Sequence, residues 1–248
     1  MFTDTHCHLY KEYYDNIDVI IKNANDNGIT KMINCSTNIK NANEVIDTSK
    51  KHNCVYAAIG IHPEDIQNIT LNDLNIIEKN IENIVAIGEI GLDYHYENPD
   101  KEKQKIIFEE QLNIAEKYNK PVIIHSRDAT NDMINILKKH SALKGVIHCF
   151  SGSYETAQIY IKMGFKIGIG GVLTFKNSKL FEVLDKLNTS DIVIETDSPY
   201  MTPVPYRGTK NEPKYISIIA QKICEIKKIS EEELSKITEK NVKEIFDI

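Results

Sequence analysis

Phe2-Thr3-Asp4-Thr5-His6-Cys7-His8-Leu9 is the stretch on which the fold turns. Phe2 to Thr5 has the make-up of a buried strand, and two histidines stand at its C-terminal end. An extended chain sends alternate side chains to the same side, so His6 and His8 point together while Cys7 points away. Two imidazoles facing one way at a strand end suit a shared cation. The decisive matter is which other strands end beside them.

Similar short runs recur along the chain: Lys31 to Cys35, Val55 to Ile61, Val85 to Ile90, Val122 to His125, Val146 to Cys149, Lys166 to Gly170 and Ile192 to Glu195. Each is short and mostly β-branched or aromatic, as strands buried on both faces should be. Helical patterns lie between them. Ile17, Ile20, Ile21 and Ala24 recur at helical spacing, as do Ile106, Ile107, Leu112, Ile114 and Ala115, and again Ile134, Ile136 and Leu137. Thr70 and Ser153 are placed to cap helices. Ser230 with Glu233 reads as a capping box, and Ile229 with Leu234 as a hydrophobic staple, so a last helix begins there. Eight β/α units in 248 residues predict one (β/α)8 barrel domain over residues 1–248, with an extra C-terminal helix. A doubly wound open sheet is the competing arrangement.

Composition narrows the setting. Hydrophobic content of 41% and charged content of 27% are those of a globular protein. No apolar run approaches the ~20 residues that span a bilayer, and no signal peptide precedes the first strand. The five cysteines are widely spaced, with no C-x-x-C, which points to reduced thiols and a cytoplasmic location. A net charge of −6 argues against non-specific duplex binding, which needs a broad basic surface. A nucleic acid gripped locally stays open, because bound cations reverse the sign of the field in a site.

The ionisable residues fall where a barrel would gather them. His6 and His8 end strand 1, His62 follows strand 3, Glu89 lies late in strand 4, and Asp93 is just past it. His125 ends strand 5, His148 is near the end of strand 6, and Asp197 follows strand 8. Only His52, His95 and His140 fall elsewhere. A lone histidine near a strand is more often a core or surface residue than a ligand. A set of acids and imidazoles converging on one cavity is costly to desolvate unless a cation compensates. The predicted ligands are His6, His8, Glu89, His125, His148 and Asp197. Nitrogen and oxygen donors of this kind suit Zn²⁺, Mn²⁺, Fe²⁺ or Mg²⁺. Six are too many for one tetrahedral ion, so two divalent ions sharing a carboxylate are expected.

These residues sit in motifs that resemble the TatD family of metal-dependent nucleases, within the amidohydrolase-like barrels. The motifs are Phe2-Thr3-Asp4-Thr5-His6-Cys7-His8-Leu9, Gly60-Ile61-His62-Pro63-Glu64, Gly88-Glu89-Ile90-Gly91-Leu92-Asp93-Tyr94, His125-Ser126-Arg127-Asp128, His148-Cys149-Phe150-Ser151-Gly152 and Glu195-Thr196-Asp197-Ser198-Pro199-Tyr200. The resemblance spans nearly the whole chain. It implies that His6 and His8 hold one metal, that His125 and His148 hold a second, and that Glu89 bridges them. It also implies that Asp197 ligates the first ion and orients or deprotonates the attacking water. The implied activity is 3′–5′ exonuclease action on single-stranded DNA, with RNA or a D-aminoacyl-tRNA ester as further substrates. Tyr10 stands where the family usually carries an acid, which weakens a supporting role at that position. Lys243, where the family often has arginine, reads as structural.

Substrate contacts are assigned to three residues. The chain has only two arginines, Arg127 and Arg207, each close in sequence to a predicted ligand or its loop. Guanidinium matches phosphate bidentately where lysine cannot. The bland alternative for both is a loop-bracing salt bridge. His62 is expected to contact the scissile phosphate or act as an acid, against a purely structural turn before Pro63. Ser126 and Ser151 are not needed as nucleophiles. Tyr94, Tyr96 and Tyr200 read as loop packing, with base stacking as the alternative. Gly168, Gly170 and Gly171 resemble a phosphate loop, but a close-packed strand explains them as well. Another ester or amide hydrolase on the same barrel competes with the nuclease reading. A non-catalytic metal-bound scaffold is a more distant alternative. No obligate protein partner is evident.

Overall fold

The computed structural model describes residues 1–248 as eight parallel strands hydrogen-bonded in sequence order. They are β1 (Phe2–Cys7), β2 (Ile29–Cys35), β3 (Val55–Ile59), β4 (Ala86–Asp93), β5 (Val122–Arg127), β6 (Gly145–Ile147), β7 (Phe165–Ile169) and β8 (Ile192–Ile194). The seam between first and last is drawn together beyond β8. His8 N–H donates to Ser198 O at 2.8 Å, and Asp197 N–H donates to His6 O at 3.0 Å. The expected barrel, not the open sheet, is therefore the architecture.

Helices follow the strands: α1 (Ile17–Asp26), α2 (Ile39–Lys51), α3 (Asn75–Lys79), α4 (Lys101–Tyr118), α5 (Thr130–Leu137), α6 (Tyr154–Lys162), α7 (Leu180–Lys186), α8 (Ile216–Lys227) and α9 (Glu231–Phe246). Their starts are set by side chains that accept orphan N–H groups. Asn16, Asn38 and Asp100 do this for α1, α2 and α4. Ser153 caps α6, and Ser230 caps α9 through Glu233 N at 3.2 Å. Thr70 heads a short 3₁₀ turn, Leu71–Leu74, and the α3 beyond it is only five residues long. Buried Leu74, Ile77, Ile81 and Ile84 keep a helix-like spacing, yet the backbone passes from that turn through α3 into a second 3₁₀ turn, Ile81–Asn83.

Apolar side chains between the strands and helices form the main core. A second cluster fills the barrel interior, where Ile33, Ala58, Ala86, Ile123, Val146 and Val193 meet Val242, Ile245 and Phe246 of α9. The last helix therefore plugs the barrel and leaves the opposite, C-terminal mouth open for chemistry. Gly91 shows how tightly the strands are drawn at that mouth. At φ +150° it pairs with His125, and a Cβ there would lie 1.9 Å from His125 O. No helix is long and apolar enough to cross a membrane.

Candidate active site

Strand irregularities aim the side chains. The β1–β2 register slips between Asp4 and Cys7, and the β4–β5 register slips between Ile87 and Ile90. An extra residue in one strand turns its neighbours toward a new direction. The two slips fall at His6 and at Glu89. Asp197 and Cys149 adopt φ +55° and +44°, a left-handed backbone uncommon outside glycine. His6, His8, Glu89, His148 and Asp197 are buried, and His125 is partly buried.

The six predicted ligands meet at this mouth. His6 Nε2 and His8 Nε2 lie 3.1 Å apart. Each faces Glu89 Oε2, at 3.3 and 3.5 Å, and Asp197 Oδ1, at 3.6 and 3.7 Å. A tetrahedral ion with bonds of about 2.0–2.1 Å separates its ligand atoms by roughly 3.3–3.4 Å. The four atoms thus have the spacing of a cation's coordination sphere. On the other side, Glu89 Oε1 lies 2.6 Å from His148 Nε2 and 3.0 Å from His125 Nδ1, and those two nitrogens are 3.1 Å apart. The two oxygens of Glu89 face different groups, so one carboxylate can serve two ions. Four bare imidazoles packed this closely around one acid fit divalent cations by number, kind and distance.

Outer partners hold the rings. His125 Nε2 lies 2.9 Å from Asp93 Oδ2. His8 Nδ1 lies 3.0 Å from both Cys35 O and the Tyr10 hydroxyl, so Tyr10 does support the ligand cluster despite being no acid. Asp4 accepts from Thr196 N at 2.9 Å and from Thr196 Oγ1 at 2.5 Å, tying β1 to the segment that carries Asp197. Glu195, fully buried, accepts from Cys149 N. Asp4 and Glu195 were not singled out from the sequence. The alternation that pairs His6 with His8 also pairs Asp4 with His6 and Glu195 with Asp197, and that is the signal that marks them.

Electrostatics sort the groups into opposed pairs. Burial works to raise Glu89, but His148, His62 and His6 outweigh it and hold the carboxylate well below its usual range. Burial likewise opposes ionisation of Asp197, and the His8 hydrogen bond with the surrounding imidazoles overcomes it. Burial would depress His148; Glu89 overrides it and lifts the imidazole to about 10. His6 goes the other way, to about 4, through burial and its neighbour His148. Burial pushes Asp4 up to about 7 and Glu195 up to about 8.

Of the predicted substrate residues, His62 lies against the cluster. His62 Nε2 is 3.4 Å from Glu89 Oε1, and its ring packs edge-on to His125 at 4.4 Å. Glu64 N–H donates to His62 Nδ1 at 3.2 Å, so the neutral ring carries its proton on Nε2. Arg127 and Arg207 are exposed. Arg127 lies over the Tyr96 ring, and Arg207 over the Phe175 ring at 3.9 Å. The Asp128 carboxylate beside Arg127 pairs with His95 instead. His125 has Nδ1 on Glu89 and Nε2 on Asp93, leaving no nitrogen to activate Ser126. His52 and His140 have acids of their own, Asp18 and Glu116. Gly171 opens the 3₁₀ turn after β7 and is close-packed, since a Cβ there would lie 2.0 Å from Met201 O.

Fold and site together define the class: a metal-dependent hydrolase on an α/β barrel. The family model described as TatD related DNase matches residues 3–247, and the chain belongs to the TatD family. It is 39% identical over 254 residues to the uncharacterized metal-dependent hydrolase YabD of Bacillus subtilis, covering 100% of both chains. The crystal structure of YjjV, a TatD homologue from Escherichia coli K12, superposes with a TM-score of 0.95 at 30% identity, covering 100% of this chain and 98% of that one. A TatD family hydrolase from Entamoeba histolytica gives 0.87 at 28% identity, over 99% and 97% of the two chains.

Proposed function

We propose that the chain is a 3′–5′ exonuclease that hydrolyses phosphodiester bonds of single-stranded DNA. The observation that carries this reading is Glu89, whose two oxygens each face a separate group of donors. Such a site suits the in-line displacement at phosphorus that paired metals serve. In this reading His6, His8 and Asp197 hold one divalent ion, His125 and His148 hold the other, and Glu89 joins them. The ions are Zn²⁺, Mn²⁺ or Mg²⁺. When bound they supply Lewis acidity, which acidifies water and offsets charge on the phosphoryl oxygens.

The chain's own residues do the rest. Asp197, kept ionised among imidazoles, orients the attacking water and takes its proton. His62 presents its Nε2 proton to a phosphoryl or leaving oxygen. Arg127 and Arg207 offer forked donors to flanking phosphates. Residues 1–248 act as one catalytic domain, and five free cysteines suit a cytoplasmic setting.

Turnover of 3′- and 5′-labelled single strands tests the proposal, run with and without chelator and across Mg²⁺, Mn²⁺ and Zn²⁺. Chelator-sensitive trimming from the 3′ end is expected, with Glu89→Ala inactive. No trimming with any ion, or equal trimming by Glu89→Ala, overturns it. Cleavage confined to aminoacyl-tRNA or other ester substrates would reassign the same site to acyl chemistry.

A further inference from the structure

We infer that Glu195 is the positioning residue of His148, and that position 168 is glycine in order to house its carboxylate. The inference rests on reading His148 as a cation ligand. His148 turns Nε2 toward Glu89 at 2.6 Å, so a lone pair is available there only if Nδ1 carries the proton. Nδ1 is buried and has no hydrogen-bond partner, and the nearest acid oxygen is Glu195 Oε1 at 3.7 Å. The same carboxylate accepts the N–H of Cys149, the residue directly after His148. Glu195 therefore grips the peptide that follows His148 while the same carboxyl oxygen faces the outer ring nitrogen. Asp93 stands in the matching place behind His125, at 2.9 Å.

The cradle is specific. Glu195 is fully buried, and Oε2 has no partner. A Cβ on Gly168, in the neighbouring strand β7, would lie 2.4 Å from that oxygen. The atom met is the end of a side chain, so alanine at 168 displaces the carboxylate while the strand can stay in place. Residue 168 thus belongs to the His148 support, and the glycine-rich stretch around it needs no phosphate to explain it.

Zn²⁺ titration of the chelator-stripped full-length chain by calorimetry tests this, with melting of each stripped variant as the control for folding. Glu195→Gln keeps the shape and the Cys149 bond but cannot ionise behind the ring when the cation binds. It should weaken the Zn²⁺ affinity by about 10–100-fold. Gly168→Ala should give a comparable loss. The double variant should be no weaker than the worse single one, because both act through one carboxylate. Wild-type affinity in Glu195→Gln overturns the inference. So do additive losses, or lowered melting with unchanged affinity. Failure of the wild-type chain to bind Zn²⁺ removes the ligand reading and this inference with it. Zn²⁺ binding without cleavage of oligonucleotides sinks only the nuclease reading, and the titration still decides the role of Glu195.

Discussion

His125 turns its Nε2 onto the Asp93 carboxylate at 2.9 Å while its Nδ1 faces Glu89. An acid on the outer nitrogen fixes the tautomer of a ligand histidine and raises its basicity. Asp93→Asn keeps the side-chain shape but loses the charge. Metal affinity, or activity at limiting metal, should fall by about 10–100-fold. Equilibrium dialysis against Mn²⁺ checks this, and unchanged affinity would remove Asp93 from the site.

Arg127 and Arg207 each lie over an aromatic ring, which leaves the edges of the guanidinium free for phosphate. A hydrogen bond to a charged group contributes about 1.5–3 kcal/mol when sheltered. Both residues are exposed, so solvent screening brings the effect below that range. Alanine at either position should raise KM for oligonucleotides roughly three- to tenfold with metal content intact. Lysine should restore only part of the loss. Steady-state kinetics on short single strands would show it, and parallel loss of metal would point to a structural role.

The barrel was legible because its signal is periodic. Short β-branched runs alternate with amphipathic stretches, and all six proposed ligands fall at strand ends. The third connection was less legible, since Thr70 caps a 3₁₀ turn before a five-residue helix. Strand ends were misjudged as well: β4 runs on to Asp93, whereas β6 stops at Ile147. The register slips at His6 and Glu89 leave no compositional trace. The supports were the least readable part. Asp93 reaches His125 from another strand, and Glu195 reaches Cys149 across 46 residues of sequence. Tyr10 in place of an acid weakens the expectation of a supporting role there, yet its phenol reaches His8 Nδ1.

Ser230 accepts Glu233 N–H at the start of α9, and α9 plugs the barrel end remote from the ligands. Removing an N-cap side chain costs about 1 kcal/mol. Ser230→Ala should therefore lower Tm by roughly 2–4 °C for a chain of this size. Activity per folded molecule should not change. Thermal melting with parallel assays would check both, and a drop in kcat at full folding would contradict the separation of plug from site.

The metal-free chain should lose stability as pH rises from 6.5 to 9. Burial lifts Asp4 from 3.8 to about 7 and Glu195 from 4.5 to about 8. His148 rises from 6.5 to about 10, because Glu89 overrides the effect of burial. A group raised on folding contributes its full stability below its unfolded value. That contribution is lost as pH climbs through the folded value. The share from Asp4 is mostly gone by about pH 7 and that from Glu195 by about pH 8, while that from His148 declines up to about pH 10. His6 has the opposite sign, but its window runs from about 4 to 6.5 and closes before this range begins. Cation binding needs His148 neutral, so affinity should strengthen over the same interval. Melting curves in chelator should therefore fall between pH 6.5 and 9, and the gap to curves in saturating Zn²⁺ should widen. A chelated chain whose Tm stays level or climbs across that range would mean that Asp4, Glu195 and His148 do not hold their protons this way.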